Sequence, residues 1–152
     1  MSAPDFQLDP RLVRRRAGRA AAGYSGVDTL AREISRRMAE RLEYIRIEPK
    51  RILDLGCGPG ADLATFATRY PGVARVAIDS APAMLAQARG EKNLLKRLMS
   101  FGKPAEPEFV CAEASALPLA RGSVSFAWSN LMLQWLHDPL PALKEIHRVL
   151  EV

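Results

Sequence analysis

Arg51 to Gly60, R-I-L-D-L-G-C-G-P-G, constrains the fold of this chain more than any other stretch. Ile52, Leu53 and Leu55 form a short apolar run that breaks into Gly56, Gly58 and Gly60. Such a run predicts a parallel strand buried on both faces, and the glycines let the backbone pass through positive φ into a helix. Glycine also lets a ligand approach the backbone without meeting a Cβ. The free N–H groups that open the next helix are expected to face that ligand. Asp54 puts a carboxylate into the same mouth, at the carboxyl end of the strand. The stretch reads as a nucleotide-type site in an α/β protein; the alternative is a purely structural glycine turn.

The dinucleotide fingerprint is G-x-G-x-x-G with a pyrophosphate on the helix N-terminus. Here the third glycine comes one residue early, and Asp54 stands directly before the turn. A carboxylate there repels a pyrophosphate and suits a ligand that carries an ammonium group. The D-x-G-x-G-x-G pattern, with Asp54, Gly56, Cys57, Gly58 and Gly60, resembles motif I of the class I S-adenosylmethionine-dependent methyltransferases. The resemblance implies S-adenosyl-L-methionine as cofactor, with the acid near its amino acid end. It also implies the fold: a Rossmann-like three-layer sandwich around a parallel sheet.

The 152 residues suit one domain with a sizeable core, and 48% hydrophobic with 26% charged residues is ordinary for a soluble protein. The N-terminus lacks the apolar core of a secretory signal, and a cytoplasmic protein is expected. Cys57 and Cys111 are two, widely spaced, and fit reduced thiols better than a disulfide or a metal site. The net charge of +5 is uneven. Arg11, Arg14, Arg15, Arg16 and Arg19 cluster early, followed by Arg32, Arg36, Arg37 and Arg41. Such a face attracts nucleic acid, an anionic membrane or an acidic protein, or is simply a solvated surface.

In chain order, residues 9–24 predict a basic helix that ends near Gly23, with Tyr24 at its end. Residues 28–43 predict a second helix capped by Asp28, with Leu30, Ile34, Met38 and Leu42 at helical spacing. Residues 1–46 form an N-terminal helical cover for the carboxyl end of the first strand, and residues 47–152 form the cofactor-binding domain. A crossover helix over 61–70 leads to a second strand, 73–78, ending in Asp79. That acid lies about twenty residues past the glycines, the offset of a ribose-binding carboxylate; a helix cap is the alternative. A helix over 81–89 follows. The segment I-D-S-A-P-A-M-L-A-Q-A is similar to motif II of the same methyltransferases. The resemblance implies that Asp79 holds the ribose hydroxyls, with Ser80 and Met84 close to the cofactor. Residues 90–107 carry the helical period K-N-L-L-K-R-L and then a linker.

A third strand, 108–111, precedes Ala112-Glu113-Ala114, where the family commonly has Gly-Asp-Ala. Glu113 then stands where that acid accepts the adenine amino group. A fourth strand is expected over 123–128, followed by S-N-L-M-L-Q-W. With R-A-A-A-G-Y and L-A-R-E-I-S-R-R-M-A-E-R-L upstream, that loop resembles the malonyl-carrier-protein O-methyltransferases of biotin synthesis. The resemblance runs over nearly the whole chain, and complex I assembly factors form a related branch. It implies an acidic malonyl-acyl-carrier protein as partner, neither nucleic acid nor a membrane, and Asn130 beside the cofactor. Methyltransferases for another small carboxylate or a quinone precursor, and a non-catalytic assembly factor, are the rivals. Tyr24 is the candidate for contacting the substrate, against a packing role. Leu131, Leu133 and Trp135 read as core. His137 reads as a loop residue and His147 as a helix-surface residue, with no catalytic role for either.

Two departures from the family stand out. Ser125 replaces the usual Asp, and the sequence stops at H-R-V-L-E-V, with the C-terminal strands of the family missing. Four strands in the order 3-2-1-4 are therefore expected, with strand four an open edge prone to self-association.

Overall fold

A computed structural model describes residues 7–90 and 106–151. The helical period over Lys92–Leu98, and most of the linker after it, lie outside the described residues. Four parallel strands, β1 (Arg51–Leu55), β2 (Ala74–Asp79), β3 (Glu108–Cys111) and β4 (Phe126–Trp128), stand in the order β3-β2-β1-β4. This is the expected order.

The side-chain alternation of β1 and β2 divides the core. Leu53, Leu55, Val76 and Ile78 pack with Val124, Ala142 and Val149, so one face is covered by α5 (Leu140–Val149). Ile52 and Ala77 point the other way. There α3 (Leu63–Arg69) contributes Phe66 and Leu63, and α4 (Pro82–Arg89) contributes Leu85. Helices on both faces of a parallel sheet make a three-layer α/β sandwich. Phe66, with none of its surface exposed, meets the Trp128 ring edge-to-face at 5.3 Å between centroids.

The N-terminal helices begin one residue inside their expected starts. Asp9 caps α1 (Pro10–Ala20) through its side chain, and the chain continues as a 3₁₀ turn over Ala21–Gly26. Asp28 occupies the cap position of α2 (Thr29–Arg41), but its carboxylate accepts from Arg32 Nε instead of a backbone N–H. The inward face of α2 is Ala31, Ile34, Ser35, Met38 and Ala39, continuing to Leu42, so Leu30 is one notch off it and exposed. On the outer face Glu33 pairs with Arg36 and Arg37, and Glu40 with Arg36. The arginines of α2 are thus partly neutralised within their own helix, and the basic face contracts to α1.

β4 is shorter than the expected strand. Ser125 Oγ accepts from the N–H of Lys50 at 2.7 Å and of Arg51 at 3.2 Å, stitching the segment to the start of β1. A serine therefore does structural work where the family has an acid. The outer edge is not wholly open either. Val124 and Leu150 form a parallel bridge, and Glu151 N–H donates to Val124 O at 2.8 Å. Beyond that bridge, Phe126–Trp128 has β1 as its one strand neighbour among the described residues. Trp135, Leu140 and Leu143, exposed after β4, correct the expectation of a core role for Trp135; Leu131 is also more than one-third exposed, and only Leu133 is half-buried. An uncharged edge strand recruits a second strand. The chain is expected to associate at about micromolar concentration in sedimentation, and a monomer across that range contradicts the expectation.

Candidate active site

Gly56, Gly58 and Gly60 all lie at positive φ, at 73°, 52° and 80°, but their surroundings differ. A Cβ on Gly56 would run into the Met132 side chain, and one on Gly60 would touch Leu63 and Ala88 at 3.0 and 3.1 Å. Those two glycines allow the loop after β4 and the helix α4 to close on the turn. A Cβ on Gly58 would meet nothing within 4 Å. Gly58 is therefore the glycine whose backbone is open to approach.

The amides of the turn are not free, which corrects the expectation from sequence. Gly56 N–H and Cys57 N–H both donate to Ile78 O, at 2.8 and 3.1 Å, and Gly60 N–H donates to Cys57 O. Gly58 N–H donates to Asp79 Oδ2 at 2.9 Å, while Ala81 N–H donates to Asp79 Oδ1 at 2.8 Å. Asp79 thus braces the glycine turn and the entry to α4 together. Each oxygen keeps a lone pair, so its capping role and a ligand role coexist. Ser80, Ala81 and Met84 follow it, with Ala81 and Met84 buried.

Asp54 is the unusual group. It is 3% exposed, and Oδ2 is a buried oxygen with no hydrogen-bond partner. Burial first, then Asp62 and Asp79, hold its carboxyl well above the ordinary carboxylate range. A buried carboxylate without a donor is costly unless something cationic comes to it. The same surroundings, burial foremost, push the Cys57 thiol up and leave it protonated. Cys57 lines the turn without being a nucleophile.

The N-terminal segment closes over this mouth. Ala17, Ala21 and Tyr24 pack against Ala81, Ala83 and Met84, small residues that let α1 lie close on α4. The Tyr24 phenol is held above its ordinary range by burial first, then by Asp28, Asp79 and Asp62. It packs against Ala81 and Met84, the packing role considered from sequence, with these acids close by. Arg14 of α1 reaches Glu113 at 3.1 Å. The acid after β3 is therefore answered from the cover, next to Ala112, whose N–H donates to Asp79 O at 3.2 Å. Asn130 Nδ2 donates to Ala31 O of α2 at 2.9 Å, leaving Oδ1 buried and unpartnered. Leu131, next in the chain, takes φ 53°, a conformation uncommon for a side-chain-bearing residue. His137 is exposed in a loop and His147 on the surface of α5, as expected.

Sequence reasoning missed three residues. Asp62 is buried ahead of α3, where its carboxylate accepts from Ser35 Oγ and, at 2.7 Å, from Trp128 Nε1. A serine on the apolar face of α2 was the available signal, because a buried hydroxyl needs a partner.

Comparison with known proteins identifies the family of the chain. Residues 53–152 match a family model described as a methyltransferase domain. The chain is 43% identical over 147 residues to the malonyl-[acyl-carrier protein] O-methyltransferase of Laribacter hongkongensis, 97% of this chain and 49% of that protein. It is 37% identical over 151 residues to that of Methylovorus sp., 99% of this chain and 50% of that protein. The chain spans about half the length of the curated relatives it matches. The crystal structure of an S-adenosylmethionine-dependent methyltransferase from Aquifex aeolicus is similar with a TM-score of 0.61, covering 94% of this chain and 68% of that one. At 19% identity that likeness is one of fold alone.

The raised carboxyl of Asp54 has a sign that can be measured. A folded-state value above the unfolded one means that stability is full below the ordinary carboxylate range. It is lost as pH rises through the folded-state value. Asp54→Asn is expected to flatten that decline and to raise the thermal midpoint of the ligand-free chain at neutral pH. Parallel pH profiles for the two proteins would show that Asp54 carries no such burden.

Proposed function

This chain belongs to the methyltransferase domain family, and on that premise we propose that it binds S-adenosyl-L-methionine and methylates the free carboxylate of malonyl-acyl-carrier protein. The observation that carries the cofactor assignment is the buried, unpartnered Asp54 oxygen at the mouth where Gly58 leaves its backbone open. A cationic ligand relieves that carboxylate, whereas a pyrophosphate would not, and the amides of the turn are already bonded within the protein. The acceptor assignment is supported by the relatives, several of which are named malonyl-[acyl-carrier protein] O-methyltransferases.

Residues 1–46 serve as the cover and 47–152 as the cofactor-binding domain. Asp54 faces the amino acid end of the cofactor, with Gly56, Cys57, Gly58 and Gly60 shaping the turn beneath it. Asp79 and Ser80 take the ribose side, Met84, Ala112 and Glu113 the base side, and Asn130 the rim after β4. S-adenosyl-L-methionine supplies a methyl group activated on a sulfonium. The acceptor carboxylate is already ionised and nucleophilic, so the protein needs no strong general base. Its work is alignment and the exclusion of water, which the cover provides. Tyr24, a protonated phenol, donates a hydrogen bond to the acceptor in this reading, supported by its nearness to Asp79.

The exposed Arg11, Arg15, Arg16 and Arg19 of α1 give an acidic carrier a docking face. No helix among the described residues is long and apolar enough to cross a membrane, and a cytoplasmic location suits a substrate carried by a soluble protein.

Two measurements test these assignments. Asp79→Ala is expected to weaken S-adenosyl-L-methionine binding in calorimetry by about 1–3 kcal/mol, roughly 5- to 150-fold. Unchanged affinity removes Asp79 from the site. Carrier binding is expected to fall with added salt and to be lost when Arg15, Arg16 and Arg19 are reversed to Glu, with cofactor affinity unaltered. Salt-independent binding would leave α1 as a solvated face.

A further inference from the structure

Asp62 accepts two hydrogen bonds that arrive from different parts of the fold. One comes from Ser35 Oγ, and Ser35 is the buried residue of α2. The other comes from Trp128 Nε1 to Oδ2 at 2.7 Å, at the end of β4. Trp128 is the register partner of Asp54, and Asp62 lies near enough to raise the Asp54 carboxyl. One turn before Ser35 on the same face of α2, Ala31 O receives Asn130 Nδ2. The cover is thus tied to the core at two points, beside the acid proposed to meet the cofactor.

We infer that Asp62 and Ser35 are positioning residues of the cofactor site: their hydrogen bond holds α2, and with it the cover bearing Tyr24, closed over the Asp54 mouth. The inference rests on the cofactor assignment made above. Its physical ground is the cost of a buried carboxylate that loses a donor. With the Ser35 hydroxyl gone, the nearest relief for Asp62 is water, and water reaches it when α2 lifts. A lifted cover admits solvent to the mouth, and the attraction between Asp54 and a cation falls with the rising dielectric. Ser35→Ala leaves unchanged the apolar side chains of α2, Met38 and Ala39, that pack on the cluster around Phe66. The loss therefore falls on closure more than on folding.

The test compares the full chain with Ser35→Ala, Ser35→Thr, Trp128→Phe and Val149→Ala. S-adenosyl-L-methionine affinity is read by calorimetry, amide exchange over residues 29–41 by mass spectrometry, and stability by thermal midpoint. Ser35→Ala is expected to weaken binding about tenfold, a hydrogen bond to a charged group lost, and to speed exchange in α2. Ser35→Thr, which keeps the hydroxyl, is expected to restore both. Trp128→Phe keeps a ring against Phe66 but removes the second donor, and is expected to weaken binding in the same direction. Val149→Ala trims the opposite face of the sheet and is expected to lower the midpoint without changing affinity. A wild-type chain that binds no S-adenosyl-L-methionine overturns the cofactor assignment, and this inference with it. A binding wild type whose affinity survives Ser35→Ala and Trp128→Phe overturns the inference alone. So does a loss of affinity that Val149→Ala matches at equal midpoint.

Discussion

The arrangement depends on one unsatisfied carboxyl group. β1 carries Asp54 into the interior on the face it shares with Ile52, where near-complete burial leaves Oδ2 without a donor. A chain that needed only a packed sheet would put an apolar residue there, because a lone buried carboxylate weakens the ligand-free fold. The surroundings sharpen the penalty: Asp62 and Asp79 stand close enough to raise Asp54 further. Three acids lie close together here, and a cation would offset the cost of the buried one. S-adenosyl-L-methionine, with its ammonium and sulfonium, is a small cofactor of that charge.

The remaining parts of the site follow from keeping that opening both accessible and dry. Gly58 leaves the backbone bare, while Gly56 and Gly60 let Met132 and Ala88 close in on either side. Asp79 fixes the turn against α4 through two amides. The cover then docks through alanines on α4, an ion pair from Arg14 to Glu113, and hydrogen bonds at Ser35 and Ala31. The surface ion pair contributes little by itself. The buried contacts on α2 are the ones that hold the lid down.

Much of this was legible in the sequence because the determining signals are local. An apolar run ending in three glycines gives a strand, a turn and a helix, and short crossovers then leave few ways to order the strands. Asp54 was conspicuous because an acid inside an apolar strand has few structural reasons to be there, and the capping alternative for Asp79 was legible from its place before a helix. What was not legible depends on pairings far apart in the chain. Ser35 and Asp62 are 27 residues apart, and Asp62 and Trp128 are 66 apart. Nothing in local spacing shows that a serine, an acid and an indole meet. The same holds for Ser125, which bonds the backbone of residues 50 and 51, and for Arg14, which leaves the basic face to answer Glu113. Trp135 and Leu131 misled in the other direction: a hydrophobic run after a strand resembles core, whereas here much of it faces outward.

The central claim is that Asp54 is held for a cation, and proton linkage tests it most directly. A carboxyl raised by burial is partly protonated in the ligand-free chain and must release its proton when a cation arrives. Calorimetry of S-adenosyl-L-methionine binding in buffers of different ionisation enthalpy counts that proton. The measurement belongs below about pH 6, where the α-amino group of the ligand stays fully protonated. The account predicts proton release by the wild-type chain that disappears in Asp54→Asn. Binding without proton release in the wild type, or with the same release in Asp54→Asn, would contradict it.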